Sequence, residues 1–393
     1  MPERRQLIKG GLSLAAATLL AEASVGDANA ADKGAGSGPF KARAYGNAKA
    51  DAPLEPMAIE RRALGPNDVF LEILYSGICH SDIHQARDEW RMQWGPTVYP
   101  CVPGHEIIGR VAAIGPHVTK FRVGDIGGVG CIVNSCRSCD NCEADLEQYC
   151  PKVTFTYNAP DPQKKGAHTL GGYSDKIVVT EHFVIRIPPG MNLAGAAPLL
   201  CAGITTFSPL QHWKVDGKQR VGVIGLGGLG HMAVKLAVAR KAEVTVFTTS
   251  PAKSEDAKKM GAKEAVLWTD SEAMKRLASS FDVLIATVPK AFPIKQFMPV
   301  LKIGGTLVNV GAMETLPDVR GMDLVYGRRG LAGSMIGGIA ETQEVIDFCA
   351  ARGITADVEL IAPDEINKAF ERVVNKDVRY RFVIDMNRPT AST

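Results

Sequence analysis

The hydrophobic positions of this chain fall into two styles. Between residues 41 and 200 the apolar runs are short and broken by glycine and proline. Val69–Tyr75, Ile107–Ile114 and Lys176–Val179 read as strands there. Gly115, Gly124, Gly127-Gly128, Gly171-Gly172-Tyr173 and Pro188-Pro189-Gly190 punctuate them, which predicts a barrel-like, mainly β region. The segment Ala194–Ser208, containing Cys201, reads as a helix. From there to about residue 338 the style changes. Val221–Ile224, Glu243–Phe247, Glu264–Leu267, Phe281–Ala286 and Thr306–Val310 are short and largely apolar, separated by helical or turn segments. That alternation predicts a parallel sheet buried on both faces, with Gly304-Gly305 turning into its fifth strand. Leu331–Ile336 is placed as a further strand near the sheet edge. Two amphipathic helices, Ala340–Arg352 and Asp364–Asn375, and a last strand, Tyr380–Ile384, then return the chain to its first region.

Composition changes this picture little. The 393 residues are 46% apolar and 22% charged, with a formal net charge of +3. That balance gives no reason to invoke nucleic acid or a membrane surface. No uninterrupted apolar run reaches the roughly 18 residues of a spanning helix.

The stretch Val221–Gly230, V-G-V-I-G-L-G-G-L-G, organises the second region. An apolar strand enters a turn made by Gly225, Gly227, Gly228, Leu229 and Gly230, and the helical segment His231–Arg240 follows. Gly225 permits the tight turn, Gly227 lets phosphates approach the backbone, and Gly230 lets helix and strand pack closely. A pyrophosphate would lie on the helix N-terminus, where N–H groups are unpaired. The turn therefore predicts dinucleotide binding.

The chain has nine cysteines, and four of them are clustered. Cys136, Cys139, Cys142 and Cys150 form C-x2-C-x2-C-x7-C, spacing that lets four thiolates wrap one tetrahedral zinc. Two disulfides are the alternative arrangement in an oxidising compartment. Cys79, His105 and Cys201 are three further zinc-type donors, distant in sequence. A Cys2His set with an open fourth position is a catalytic zinc arrangement, although scattered residues carry no diagnostic spacing.

Taken together, G-I-C-H-S-D-I-H at 77–84, Y-P-C-V-P-G-H-E at 99–106, the cysteine cluster through L-E-Q-Y-C at 146–150, P-L-L-C-A-G-I-T-T at 198–206 and G-L-G-G-L-G at 225–230 resemble the zinc-containing medium-chain alcohol dehydrogenases. Within that family the resemblance is to the cinnamyl alcohol dehydrogenase branch and its bacterial aldehyde reductase relatives. It spans roughly residues 41 to 387. It implies an α/β chain with a GroES-like, mainly β catalytic domain over 41–200 and 339–393. A Rossmann-type doubly wound parallel sheet over 201–338 would bind the nucleotide. It also implies a homodimer, paired through the region of Leu331–Ile336.

Residue by residue, the resemblance makes Cys79, His105 and Cys201 the catalytic zinc ligands. Glu106 becomes the carboxylate able to approach the metal. Asp82 orients the ligand histidine, fixing its tautomer. Ser81 hydrogen-bonds the substrate oxygen, and His84 ends the proton relay. His80 falls near the cofactor phosphates. The implied activity is reversible hydride transfer between a nicotinamide and a small aldehyde or alcohol, with two zinc ions per chain.

Cofactor choice is read from the end of the second strand. An NAD-binding turn usually carries Asp or Glu about 20 residues past the glycines. Here the chain reads Thr248-Thr249-Ser250-Pro251-Ala252-Lys253, with no carboxylate. Hydroxyls and a lysine suit a 2′-phosphate, so NADP(H) is expected. An NAD-dependent alcohol or polyol oxidiser and a non-catalytic zinc or nucleotide sensor are the other readings. Trp90, Trp94 and Phe155 are candidates to line an apolar substrate pocket for aromatic or medium aliphatic aldehydes.

The first 30 residues read differently from the rest. Arg4-Arg5, a small-residue apolar stretch from Gly10 to Ala21 and Ala28-Asn29-Ala30 have the three parts of an export signal, of the twin-arginine type. Residues 31–40, rich in glycine, would be a linker. The expected location is the periplasm, with the cytoplasm as alternative. A twin-arginine route exports folded, loaded protein, which would reconcile export with zinc-bound cysteines.

Overall fold

The computed structural model describes residues 38–316 and 319–389. The expected signal segment, 1–30, lies outside the described residues, as does most of the expected linker. That linker stops short of residue 40: Phe40 already opens the strand Phe40–Gly46, which pairs antiparallel with Glu55–Arg61.

Two sheets carry the molecule. The first is mixed, in the order Val358–Ile361, Arg381–Asp385, Asp68–Gly77, Ile107–Ile114, Ile126–Val129, Ile185–Arg186, with Lys176–Thr180 also paired to Asp68–Gly77. All its pairings are antiparallel except that between Val358–Ile361 and Arg381–Asp385. Its two last strands in sequence thus lie at one edge, beside the first long strand. This is how the end of the chain is brought back to the region of Cys79.

The second sheet has six parallel strands, ordered Glu264–Leu267, Glu243–Thr248, Arg220–Ile224, Phe281–Ala286, Leu301–Asn309, Gly330–Gly333. In chain order this is third, second, first, fourth, fifth, sixth, the doubly wound arrangement. The order reverses between Arg220–Ile224 and Phe281–Ala286. In sheets of this kind a ligand crevice lies at that switch point, outside the carboxyl ends of the strands, which is where Gly225 begins the turn. Val221, Val223 and Ile224 are fully buried, as two-sided helix cover requires.

The strand expectations hold to within a few residues, with one longer departure. The fifth strand begins at Leu301, because Gly304 at φ +76° bends it locally without ending it. Leu331–Ile336 is shorter, Gly330–Gly333, and Ile336 has left the strand at φ +38°. The returning helix starts at Ile366, after a tight turn at Pro363–Glu365.

Ala194–Ser208 is not one helix. Leu193–Ala196 passes into the tight turn Ala197–Leu200, the chain bends, and Ala202–His212 runs on at 56° to them. Pro198 lacks an N–H and cannot extend the first helix. Cys201 stands alone at the bend, with φ −131°. Among the described residues no single helix is long and apolar enough to cross a membrane. This bent pair is apolar because it is core. Leu199, Leu200, Ala202, Ile204 and Phe207 share one buried cluster with Val221 and Val223 of the second sheet and Ile108 and Val383 of the first.

Candidate active site

Three separate pieces of chain deliver one cluster of donors. Cys79 follows the strand Asp68–Gly77 by two residues and caps the helix His80–Ala86. His105 and Glu106 precede the strand Ile107–Ile114, and Cys201 projects from the bend. One donor atom from each of Cys79, His105, Glu106 and Cys201 lies within 4.8 Å of the others, and all four residues are buried.

The donor set fits a zinc ion. The Cys79 and Cys201 sulfurs are 3.8 Å apart, and two sulfurs at ~2.3 Å from a tetrahedral zinc stand about 3.8 Å apart. His105 Nε2 is buried without a hydrogen-bond partner, as is Glu106 Oε2. Such atoms are costly to bury unless something binds them. Contact with Cys201 holds the Cys79 thiol well below its ordinary range, while contacts with Cys131 and Cys79 push Cys201 up.

Two residues the sequence reading missed frame this cluster. Arg381, from the last strand, pairs in the interior with Glu106 Oε1. Burial pushes the Glu106 carboxyl up, to about 7, and the guanidinium opposes it. Gly77 makes room for this pair, since a Cβ there would come within 2.9 Å of Glu106 Cβ. Tyr173 donates its hydroxyl to Asp82 Oδ2 at 2.8 Å.

Asp82 itself departs from the expected role. Its oxygens accept from Cys79 N (2.8 Å), Gly104 N (3.1 Å) and Tyr173, and none of its hydrogen bonds goes to the His105 ring. It fixes the backbone at Cys79 and just before His105, so it orients the ligands through the chain. Its charge still acts on His105: burial lowers the ring's pKa, while Cys131 and then Asp82 raise it. The phenol ring of Tyr157 stacks on the His105 ring at 5.3 Å.

Ser81 and His84 lie three residues apart on the helix His80–Ala86, hence on one face. Ser81 Oγ is 3.5 Å from Cys79 Sγ. His84 Nδ1 is 2.5 Å from Glu89 Oε2, a partner not anticipated, and Trp90 stacks on the His84 ring at 5.2 Å. Trp90 is therefore spent on the histidine, whereas Trp94 and Phe155 meet edge to face at 5.9 Å. Burial, and then the neighbouring His84, lower the pKa of His80.

The second cluster is Cys136, Cys139, Cys142 and Cys150, whose sulfurs also lie within 4.8 Å of one another. Cys136 Sγ is 3.9 Å from Cys142 Sγ and 3.5 Å from Cys150 Sγ. All nine cysteines are free, so the two-disulfide alternative is not formed. Backbone N–H groups of Cys136 and Lys152 point at Cys150 Sγ, at 3.4 and 3.3 Å.

At the glycine turn, Gly225 has φ +94°, open to glycine but strained for other residues. Gly230 packs directly on the Gly225 carbonyl, and nothing lies within 4 Å of where a Gly227 Cβ would be. That open face is what a pyrophosphate needs. Leu229 precedes the helix Gly230–Ala239. Gly228 rests against the Arg381 side chain, and its carbonyl accepts from His231 Nδ1 at 2.8 Å. Past the second strand, Thr249 is exposed, while buried Thr248 uses its hydroxyl to accept from Ser250 N at 3.1 Å. Lys253 Nζ donates to the Leu226 carbonyl at 2.8 Å, so it is tied to the glycine turn.

Buried zinc-type donors and an open dinucleotide turn, bridged by Arg381, which touches both Glu106 and Gly228, define a metal-dependent nicotinamide oxidoreductase. Two family descriptions match: "Alcohol dehydrogenase GroES-like domain" over residues 65–189 and "Zinc-binding dehydrogenase" over 228–351. The chain belongs to the zinc-containing medium-chain alcohol dehydrogenases and is an oxidoreductase of that family. Among its relatives, "Aldehyde reductase YahK" of Escherichia coli is 54% identical over 88% of this chain and 98% of its own. "NADP-dependent alcohol dehydrogenase C 1" of Mycolicibacterium smegmatis is 52% identical over 87% and 97%. Solved structures with the same fold include a cinnamyl alcohol dehydrogenase from Sorghum bicolor (40% identical, TM-score 0.86, 90% of this chain and 100% of that one). Another is the Helicobacter pylori enzyme complexed with NADP(H) (41%, TM-score 0.84, 90% and 100%).

Proposed function

We propose that this protein is a zinc-dependent, NADP(H)-linked reductase of aromatic and medium aliphatic aldehydes that also runs in the alcohol-oxidising direction. The observation that carries the cofactor choice is the strand end Thr248–Lys253, where hydroxyls and a turn-bound lysine replace a carboxylate. A carboxylate there would repel a 2′-phosphate. The mycobacterial relative is named as NADP-dependent and the Helicobacter enzyme was solved with NADP(H), which supports this reading.

When bound, zinc supplies a Lewis acid and the nicotinamide supplies or accepts hydride. Cys79, His105 and Cys201 would hold the metal, and the glycine turn the pyrophosphate. The chain's own work is to position and to move a proton. Ser81 hydrogen-bonds the substrate oxygen at the buried end. His84, held by Glu89, exchanges the proton with solvent at the outer end. Trp94 and Phe155 offer an apolar wall for the substrate. Aldehyde reduction is the expected direction near neutral pH with reduced cofactor supplied.

A homodimer accompanies this reading. The outer edge of Gly330–Gly333 has no strand partner among the described residues, and Met322, Val325 and Tyr326 are exposed nearby in sequence. Residues 1–30 support export to the periplasm, which fractionation of cells carrying the full chain would check. The function itself is tested by NADPH and NADH oxidation with benzaldehyde and hexanal. Faster turnover with NADH would remove the cofactor claim and keep the family. No turnover in zinc-loaded protein would remove the substrate class.

A further inference from the structure

The segment that carries Arg381 to Glu106 first meets the helix Lys253–Lys259, which follows the second parallel strand. Arg379 Nε and Tyr380 Oη both donate to Asp256 Oδ2, each at 2.9 Å. Asp256 lies on the helix Lys253–Lys259, three residues after Lys253, so the two share a face. Lys253 is itself tied to the Leu226 carbonyl. A guanidinium from the first lobe and an ammonium from the second are thereby held together beside the turn.

The charges there do not balance. Lys253 has its pKa lowered by burial, then by Arg379, then by Lys376, with Asp256 acting the other way. Of the nearby acids, Asp377 is taken by Arg372 at 3.1 Å, and Glu359 by Arg372 at 2.9 Å and by the Arg379 backbone N–H at 3.3 Å. Among the described residues the Arg379 Nη groups have no hydrogen-bond partner, and the side chain is about half exposed. Arg379 and Lys253 flank Asp256, Lys376 stands exposed three residues before Arg379 in the chain, and the unspent Arg379 donors form a site that an added dianion stabilises.

We propose that Arg379, with Lys376 beside it, joins Lys253 in holding the 2′-phosphate of the dinucleotide, so that cofactor discrimination draws on both lobes. The proposal rests on the NADP(H) reading. It gives the returning segment a second task. The residue after Arg379, Tyr380, stacks on His231 at 5.1 Å, and the next, Arg381, meets Glu106. A phosphate captured by Arg379 would fasten this segment onto the nucleotide-binding sheet.

The test is titration calorimetry of the zinc-loaded protein with 2′,5′-ADP and, separately, 5′-ADP. Wild type should prefer 2′,5′-ADP by at least about tenfold, the worth of one charge-assisted bond. Arg379→Gln should cut that preference about tenfold while 5′-ADP affinity stays within about twofold, and Arg379→Lys should restore part of it. Exposed Lys376→Gln should cut it about threefold. It carries the test if loss of the Asp256 partner disturbs folding of the Arg379 variant. A preference that survives both glutamine variants, or an equal loss of both nucleotides, overturns the assignment. A wild type without any preference sinks the NADP(H) reading itself, a separate failure.

Discussion

The two cysteine-rich centres of this protein are built on opposite plans. Cys136, Cys139, Cys142 and Cys150 come from one stretch of fifteen residues, and three of them are only half-buried. Their geometry is made locally: Cys139 caps the short helix Asp140–Glu143, and Arg137 and Asp145 turn the chain at positive φ. Four thiolates fill a tetrahedron and leave no open position, which suits a structural ion. Cys79, His105 and Cys201 span more than a hundred residues, are fully buried, and lie with Cys131 among Val69, Leu71 and Ile107 of one core cluster or beside it. Their geometry is made by the whole fold, and Glu106, paired with Arg381, lies among them. A locally made centre stabilises a loop. A globally made one can be tuned by neighbours from several elements, and that is where the chemistry belongs.

The comparison breaks most sharply at Cys201. Cys201→Ser should lower turnover by about a thousandfold, several kcal/mol of lost charge stabilisation. Metal analysis should show zinc falling from two per chain to about one. Retention of both ions and of activity would mean the bend residue is no ligand. Arg381→Met strands a buried carboxylate and should cost about 3–5 kcal/mol in denaturant unfolding. The double variant Glu106→Leu, Arg381→Met should recover most of that loss, although not activity; an additive loss would show that the pair is not a unit. Cys139→Ser should give the reverse profile of Cys201→Ser. One zinc is lost, limited proteolysis within 136–150 speeds up about tenfold or more, and turnover per remaining catalytic zinc changes by less than about tenfold. Equal loss of activity in both variants would erase the distinction.

Burial on the globally built side also predicts a pH effect. Desolvation, with Lys235 and Arg381 nearby, drops His231 from 6.5 to about 3. Above pH 6.5 neither folded nor unfolded chain protonates it. Between 6.5 and 3 only the unfolded chain does, so acidification destabilises the fold by up to ~1.4 kcal/mol per pH unit from this group. His231→Asn should flatten that slope relative to wild type, and unchanged Tm-versus-pH curves would show that the ring is not kept neutral. The smallest expected effect is at the outer end of the proposed relay, where Glu89 is well exposed. Glu89→Gln should reduce kcat only about three- to tenfold, with KM little changed.

Much of this was legible in the sequence because it is local. The glycine turn needs Gly225 at positive φ and Gly230 against the preceding strand, requirements that act within six residues. The four-cysteine spacing likewise encodes its own geometry, and apolar runs with two-sided burial mark the parallel strands. The scattered ligands Cys79, His105 and Cys201 were placed by resemblance to a family; their spacing carried no such information. What escaped altogether is what distance in sequence hides. Arg381 reaches Glu106 from 275 positions away, Tyr173 reaches Asp82 from 91, and Asp82 binds backbone in place of the His105 ring. The bend at Cys201 was read as continuous helix, since Ala, Leu and Ile there satisfy a helical pattern equally well. Sequence alone determined the elements and the locally closed sites, because their constraints involve neighbours along the chain. Only the tertiary structure decided which side chains share a low-dielectric interior, and thus which charges pair, which donors are left free for metal, and which cations from the two lobes converge beside the glycine turn.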